Sequence, residues 1–107
     1  MDTPLLHGVC AAMSSPFDDT GELLDEGRLR DHIESLIDAG VHGLVLCAGT
    51  GEFAFLSTEE KDRIIGLGCE IVDGRVPVIT QTSAITTTDA IERTRKASDQ
   101  GATAAMV

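Results

Sequence analysis

The sequence predicts an α/β fold in which short apolar strands alternate with amphipathic helices in the order β-α-β-α-β-α-β. Three observations carry this. Short, largely apolar runs recur at residues 8–13, 43–47, 76–79 and 102–107. Between them lie three segments of about three turns each, with apolar residues at helical spacing. Capping residues precede these segments, and a glycine follows each of them. Such alternation implies parallel strands joined by right-handed crossovers, with helices covering the sheet. Periodicity leaves two architectures open: an open doubly wound sheet, or the first half of a (β/α)8 barrel, which needs roughly 250 residues against the 107 here.

Gly8 to Met13 reads as a first buried strand, stopped by Ser14-Ser15-Pro16. Asp18-Asp19-Thr20-Gly21 is a turn, since Asp and Gly tolerate the required backbone angles. From about Asp25 to Asp38, Leu29, Ile33, Leu36 and Ile37 form one apolar stripe opposite Arg28, Arg30, Asp31 and Glu34, and Gly40 supplies the stop. Gly43 to Cys47 is the second strand, running into Ala48-Gly49-Thr50-Gly51-Glu52. Ser57-Thr58-Glu59-Glu60 spells a capping box for a helix whose apolar side is Ile64, Ile65 and Ile71, less clearly Leu67, closed by Asp73-Gly74. The third strand is placed at Val76 to Ile79. Thr86-Thr87-Thr88-Asp89 offers N-caps for a helix from about Asp89 to Gln100, ended by Gly101. Ala102 to Val107 is a fourth strand.

Composition narrows the function classes. A net charge of −10 argues against nucleic acid or an anionic membrane as a partner. With three Phe and neither Trp nor Tyr, the core must be aliphatic. Cys10, Cys47 and Cys69 are odd in number and widely spaced, so they read as reduced core residues, with no disulfide framework or zinc site. The start, Met1 to His7, has no basic segment followed by an apolar core, and no run approaches membrane-spanning length, which points to a cytoplasmic protein. His7, His32 and His42 have no metal-ligand partner at helical or loop spacing, so no metal and no cofactor is expected.

The second strand and its loop concentrate the chemistry. A buried strand emptying into small residues is where α/β proteins usually hold a ligand. Gly49 and Gly51 let backbone N–H groups turn toward a bound group, and Thr50 adds a hydroxyl. That suits a carboxylate or phosphate oxygen. A nucleotide phosphate loop fits poorly, because no lysine follows the glycines and the dinucleotide spacing is absent. Ser14 and Ser15 could line the same end, although a turn role before Pro16 accounts for them.

Nearly the whole chain resembles the N-terminal part of the dihydrodipicolinate synthase / N-acetylneuraminate lyase family of pyruvate-dependent class I aldolases. The resemblance rests on Ser15-Pro16-Phe17 with Asp18 and Gly21, Ala39-Gly40-Val41 with Gly43-Leu44, and Thr50-Gly51-Glu52-Phe53. It continues through Leu56-Ser57 with Glu60, Gly74-Arg75-Val76-Pro77-Val78-Ile79, Ala90-Ile91 and Gly101-Ala102. It implies a (β/α)8 TIM barrel, of which this chain is the N-terminal half, usually assembled as a homotetramer. By position it makes Thr50 the threonine that binds a 2-keto acid carboxylate such as that of pyruvate, helped by the N–H groups of Thr50 and Gly49. Gly51 and Glu52 shape the loop, Glu52 as a buried partner rather than a catalyst. Two departures stand out. Ala48 replaces the family's first glycine, and Gly49 replaces a hydroxyl residue that relays a proton in the synthase branch, an arrangement closer to the sugar-acid dehydratase branch. Gln81-Thr82-Ser83-Ala84-Ile85 likewise stands where the family tends to have glycines and an asparagine.

Family chemistry also needs a Schiff-base lysine and a proton-handling tyrosine. The only lysines are Lys61 and Lys96, both within expected helices on the outside of the barrel, and there is no tyrosine. The resemblance therefore implies no catalytic residue in this chain, which would be inactive alone. The expectation is an enzyme segment, or alternatively a noncatalytic truncated remnant that binds a small carboxylate. Unpaired edges at the first and fourth strands would leave the isolated chain partly molten, oligomeric or aggregated.

Overall fold

The computed structural model describes residues 4–107; residues 1–3, part of the stretch read above as free of a targeting signal, lie outside the described residues. The elements are β1 (Cys10–Ala12), α1 (Glu26–Asp38), β2 (Gly43–Leu46), a 3-10 turn (Phe53–Phe55), α2 (Thr58–Val72), β3 (Val78–Gln81), α3 (Thr87–Gln100) and β4 (Ala104–Met106). All three strand pairings are parallel and the sheet order is β1-β2-β3-β4. A doubly wound sheet reverses its order at a switch point. This one advances in a single direction, so right-handed crossovers place every helix on the same side. In keeping with that layer, α1 packs on α2 and α2 on α3. The winding is that of a barrel.

All four strands differ in extent from the sequence expectation, β2 ending one residue early at Leu46 and β4 trimmed to Ala104–Met106; the other two differences have local causes. β1 is only Cys10–Ala12, with Val9 exposed, because an edge strand has one neighbour and Gly8 is already in the left-handed region at φ 63°. β3 lies two residues later than expected. Pro77 has no N–H for the ladder, and its carbonyl serves only as acceptor for Leu44 N–H at 3.0 Å. Thr80 and Gln81 then continue the pairing with Leu46 and Met106, since ladder bonds depend on the backbone rather than on apolar side chains. At α3, Thr86 rather than a later residue is the cap, accepting from Asp89 N–H at 3.2 Å.

The helix starts are set locally. Asp25 accepts from Arg28 N–H at 2.9 Å. Ser57 and Glu60 form the expected reciprocal capping box, at 3.1 and 2.8 Å. Arg75 closes the other end of α2: it donates to the carbonyls of Val72 and Ile71 and grips both Glu34 oxygens, at 2.9 and 2.8 Å. That guanidinium holds the Glu34 carboxyl below its ordinary range.

Packing fixes where the strand ends point. The sheet face toward the helices carries Leu44, Leu46 and Val78, which join Met13, Leu29, Ile33, Ile71 and Val72 in one buried aliphatic cluster. On the opposite face Ala12 and Met106 are exposed and Val45 half-buried. A second cluster of Cys47, Leu56, Ile64 and Ile65 sits beneath the loop that leaves β2. That cluster anchors the site described next.

Candidate functional site

The loop after β2 is bracketed by two non-glycine residues in the left-handed region, Cys47 at φ 54° and Glu52 at φ 64°. Each such conformation costs roughly 1 kcal/mol or more and persists only where surroundings hold it. Four contacts do so here. Cys47 is buried among Leu56, Ile64 and Ile65, and burial pushes its thiol up to about 12, so it carries no thiolate at neutral pH. Phe53 N–H donates to the Ala48 carbonyl at 3.0 Å, and Glu52 N–H to the Gly49 carbonyl at 3.1 Å. From the loop after β1, the Ser15 hydroxyl donates to the Gly51 carbonyl at 2.8 Å. Gly51 is closely packed: a Cβ there would lie 3.1 Å from both Cys47 N and Met13 O, tighter than an ordinary contact and against backbone rather than a flexible side chain.

These bonds determine where the remaining N–H groups point. No described peptide bond is cis, and in a trans peptide the N–H opposes the C=O of the same unit. The Ala48 and Gly49 carbonyls turn inward to accept from Phe53 and Glu52. Gly49 N–H and Thr50 N–H, on the other side of those same peptide units, therefore turn outward. Among the described residues neither donates to a protein acceptor. Gly49 and Thr50 are both exposed. Two adjacent unpaired amides next to a threonine are donors of the kind that suit a carboxylate or phosphate oxygen.

The structure thus brings Gly49, Thr50 and Gly51 together in one turn, with Gly51 buried and shaping it. Glu52 corrects the expectation. Its side chain is exposed, and it shapes the loop through its backbone, donating to Gly49 O and accepting from Phe55 N–H at 2.8 Å. Burying a carboxylate without a cation would be costly, and among the described residues no cation pairs with it. The sequence places Ser15 at the same end as the loop, with a turn role favoured; its tie to Gly51 is not legible there, the one signal for it being a hydroxyl at the end of the adjacent strand. Of the cysteines, only Cys47 is fully buried; Cys10 and Cys69 are half-buried.

Lys61 and Lys96 lie on α2 and α3, as expected. Lys96 pairs with Asp62 at 2.7 Å, and Lys61 Nζ sits 3.8 Å from the centre of the Phe53 ring. Desolvation, then the nearby Arg93 charge, lowers the Lys61 ammonium below its ordinary value. His42 lies at the opposite end of β2, where its Nδ1 accepts from Val9 N–H at 3.0 Å. Among the described residues no cluster of three or more His, Cys, Asp or Glu could hold a metal. No helix among them is long and apolar enough to cross a membrane. A groove of about 380 Å³ between α2 and α3, lined by Lys61, Asp62, Arg93 and Lys96, is separate from the loop.

A sequence profile of the dihydrodipicolinate synthetase family matches residues 5–107. The chain belongs to this family. It is 43% identical over 104 residues to a 4-hydroxy-tetrahydrodipicolinate synthase of Methanoculleus marisnigri, covering 96% of this chain and 36% of that protein. It is 47% identical over 103 residues to the synthase of Thermomicrobium roseum, covering 96% and 33%. The chain therefore spans about a third of the length of these relatives. Among solved structures, the synthase from Methylacidiphilum fumariolicum SolV superposes with a TM-score of 0.88 at 31% identity, over 94% of this chain and 33% of that one. A prophage protein of the family from E. coli K12, solved in complex with pyruvate, gives 0.89 at 33% identity over 95% and 34%. The four-stranded sheet and three helices match the N-terminal part of a TIM barrel.

Proposed function

We propose that this chain supplies the carboxylate-binding loop of a lyase that handles a 2-keto acid through a Schiff base. The observation that carries the proposal is the pair of outward N–H groups at Gly49 and Thr50, at the C-terminal end of a strand in a barrel-type sheet. The C-terminal end is where TIM barrels hold their substrates. The pyruvate complex of the E. coli relative supports a 2-keto acid as the ligand class. In this reading the two amides and the Thr50 hydroxyl bind the carboxylate by charge-assisted bonds and fix the orientation of the adjacent keto carbon. Neither lysine stands at a strand end and the chain has no tyrosine, so the covalent step and its proton transfers belong to groups outside these 107 residues. The working protein is a cytoplasmic homo-oligomer, a tetramer by analogy with the family.

One observation favours a dehydratase acting on a sugar acid over the synthase reaction. Gly49 carries no hydroxyl to pass a proton, and nothing lies within 4 Å of where its Cβ would be.

Two measurements test the proposal. Thr50→Val should weaken pyruvate binding to the chain about tenfold, the scale of a hydrogen bond to a charged group. Borohydride added with pyruvate should trap no adduct on the 107-residue chain. Unchanged affinity in the variant, or a stoichiometric adduct on Lys61 or Lys96, would overturn the assignment.

A further inference from the structure

Ser15 lies on the loop that follows β1, and its hydroxyl crosses to the β2 loop to donate to the Gly51 carbonyl at 2.8 Å. What that bond controls follows from the connectivity of the peptide units. The Gly51 carbonyl and the Glu52 N–H belong to one peptide group. Glu52 N–H donates to the Gly49 carbonyl at 3.1 Å. The Gly49 carbonyl and the Thr50 N–H again belong to one peptide group. The donors therefore run head to tail: Ser15 O–H to the 51–52 peptide, its N–H to the 49–50 peptide, and the Thr50 N–H outward. Each bond in such a chain polarises the next, strengthening it by roughly 10–30%.

We propose that Ser15 is a positioning residue for the anion site, heading a three-donor relay that orients the Thr50 N–H and raises its donor strength. The surroundings leave the relay few alternatives. Gly51 sits close enough to the Cys47 and Met13 backbone that an added Cβ would lie 3.1 Å from Cys47 N and from Met13 O, which leaves little room to turn the peptide that accepts the Ser15 hydrogen bond. Glu52 at φ 64° is held in a conformation that an unsupported chain would leave. Ser15 is half-buried, so water competes only partly for the bond. The hydroxyl acts through two peptide groups and touches no ligand. A parallel branch, Phe53 N–H to the Ala48 carbonyl, sets the Gly49 N–H and does not involve Ser15, so it serves as an internal control.

The proposal rests on the carboxylate reading only in its last link, and the two fail separately. The test follows the backbone amide signals of Gly49 and Thr50 in the full 107-residue chain, first free and then titrated with pyruvate, for the unaltered chain, Ser15→Ala and Ser15→Thr. Ser15→Ala should move the free Thr50 amide proton upfield, leave Gly49 nearly still, and weaken pyruvate about fivefold, the scale of one neutral hydrogen bond. Ser15→Thr, which restores the hydroxyl, should return both. If Ser15→Ala loses its dispersed spectrum, Ser15→Cys takes its place and should give a smaller shift in the same direction, because a thiol is a weaker donor. A Thr50 amide indifferent to the loss of the hydroxyl, or moving no more than Gly49, would overturn the relay. Amides that respond to Ser15→Ala but ignore pyruvate in every chain would uphold the relay and overturn the carboxylate reading.

Discussion

Two strand-to-helix connections of this chain occupy equivalent places in consecutive βα units and are built quite differently. The loop after β2 holds two non-glycine residues in the left-handed region and is tied down by bonds from its own turn and from the loop after β1. The loop after β3 runs through Ser83, Ala84 and Ile85, and its Ile85 side chain is fully exposed. Its local ties are Gln81 Nε2 to the Ser83 hydroxyl at 3.2 Å and a Thr82–Thr94 hydroxyl pair at 2.7 Å. The first is a strained turn held by its neighbours. The second holds no residue in the left-handed region, and Thr82 N–H ties its start to the Met106 carbonyl at 2.8 Å. Strain retained in one of two equivalent positions supports the proposed site there, although the left-handed Asp73 at the end of α2 shows that a helix cap also holds such a residue.

The largest expected effect lies within the β2 loop. Gly51→Ala should destabilise the chain by about 2 kcal/mol, because the new methyl meets backbone on two sides. Gly49→Ala, two residues away, should cost only a few tenths of a kcal/mol, since nothing lies within 4 Å of its Cβ position. Denaturant melts of the pair check this, and equal losses would break the picture of a loop wedged at one glycine. Next in size, Glu52→Gly should stabilise by up to about 1 kcal/mol by removing a side chain from a left-handed backbone. Ile85→Ser in the β3 loop should leave the melt within about 0.5 kcal/mol of its starting point.

A test outside both loops calibrates the scale. Thr80 is fully buried on β3, and its hydroxyl has no partner among the described residues. Thr80→Val should therefore gain about 1 kcal/mol by removing an unsatisfied group from the core without changing its shape. The smallest expected effect concerns acid. Arg75 lowers the folded-state value for Glu34, so their interaction stabilises the fold above the ordinary carboxylate value of 4.5 and is lost as the pH falls through the lower folded-state value. Thermal melts between about pH 6 and pH 3 should show Arg75→Met losing less stability on acidification than the unaltered chain. The pair is solvent-exposed, so the difference should be modest.

What the sequence showed and what it hid divides by range. The Ser57–Glu60 box was legible because its partners are three residues apart and their chemistry is local. The alternation of strands and helices was legible for the same reason, and strand order then chose the barrel winding. The β3 boundary was not, because its register is decided by Leu44 and Met106 on neighbouring strands. Gly49, Thr50 and Gly51 could be picked out as a turn, but the burial of Glu52 was misjudged. Its side chain is exposed at a left-handed backbone position, and sequence does not display that angle. The Ser15 tie spans 36 positions and leaves no periodic trace.

The central claim is that the β2 loop, and not its β3 counterpart, is the anion site. The most direct measurement is a pyruvate titration of the 107-residue chain followed amide by amide. The account predicts saturable shifts at Gly49 and Thr50, with Ser83, Ala84 and Ile85 unmoved. Shifts confined to the β3 loop, or none at Gly49 and Thr50 at saturating pyruvate, would contradict it.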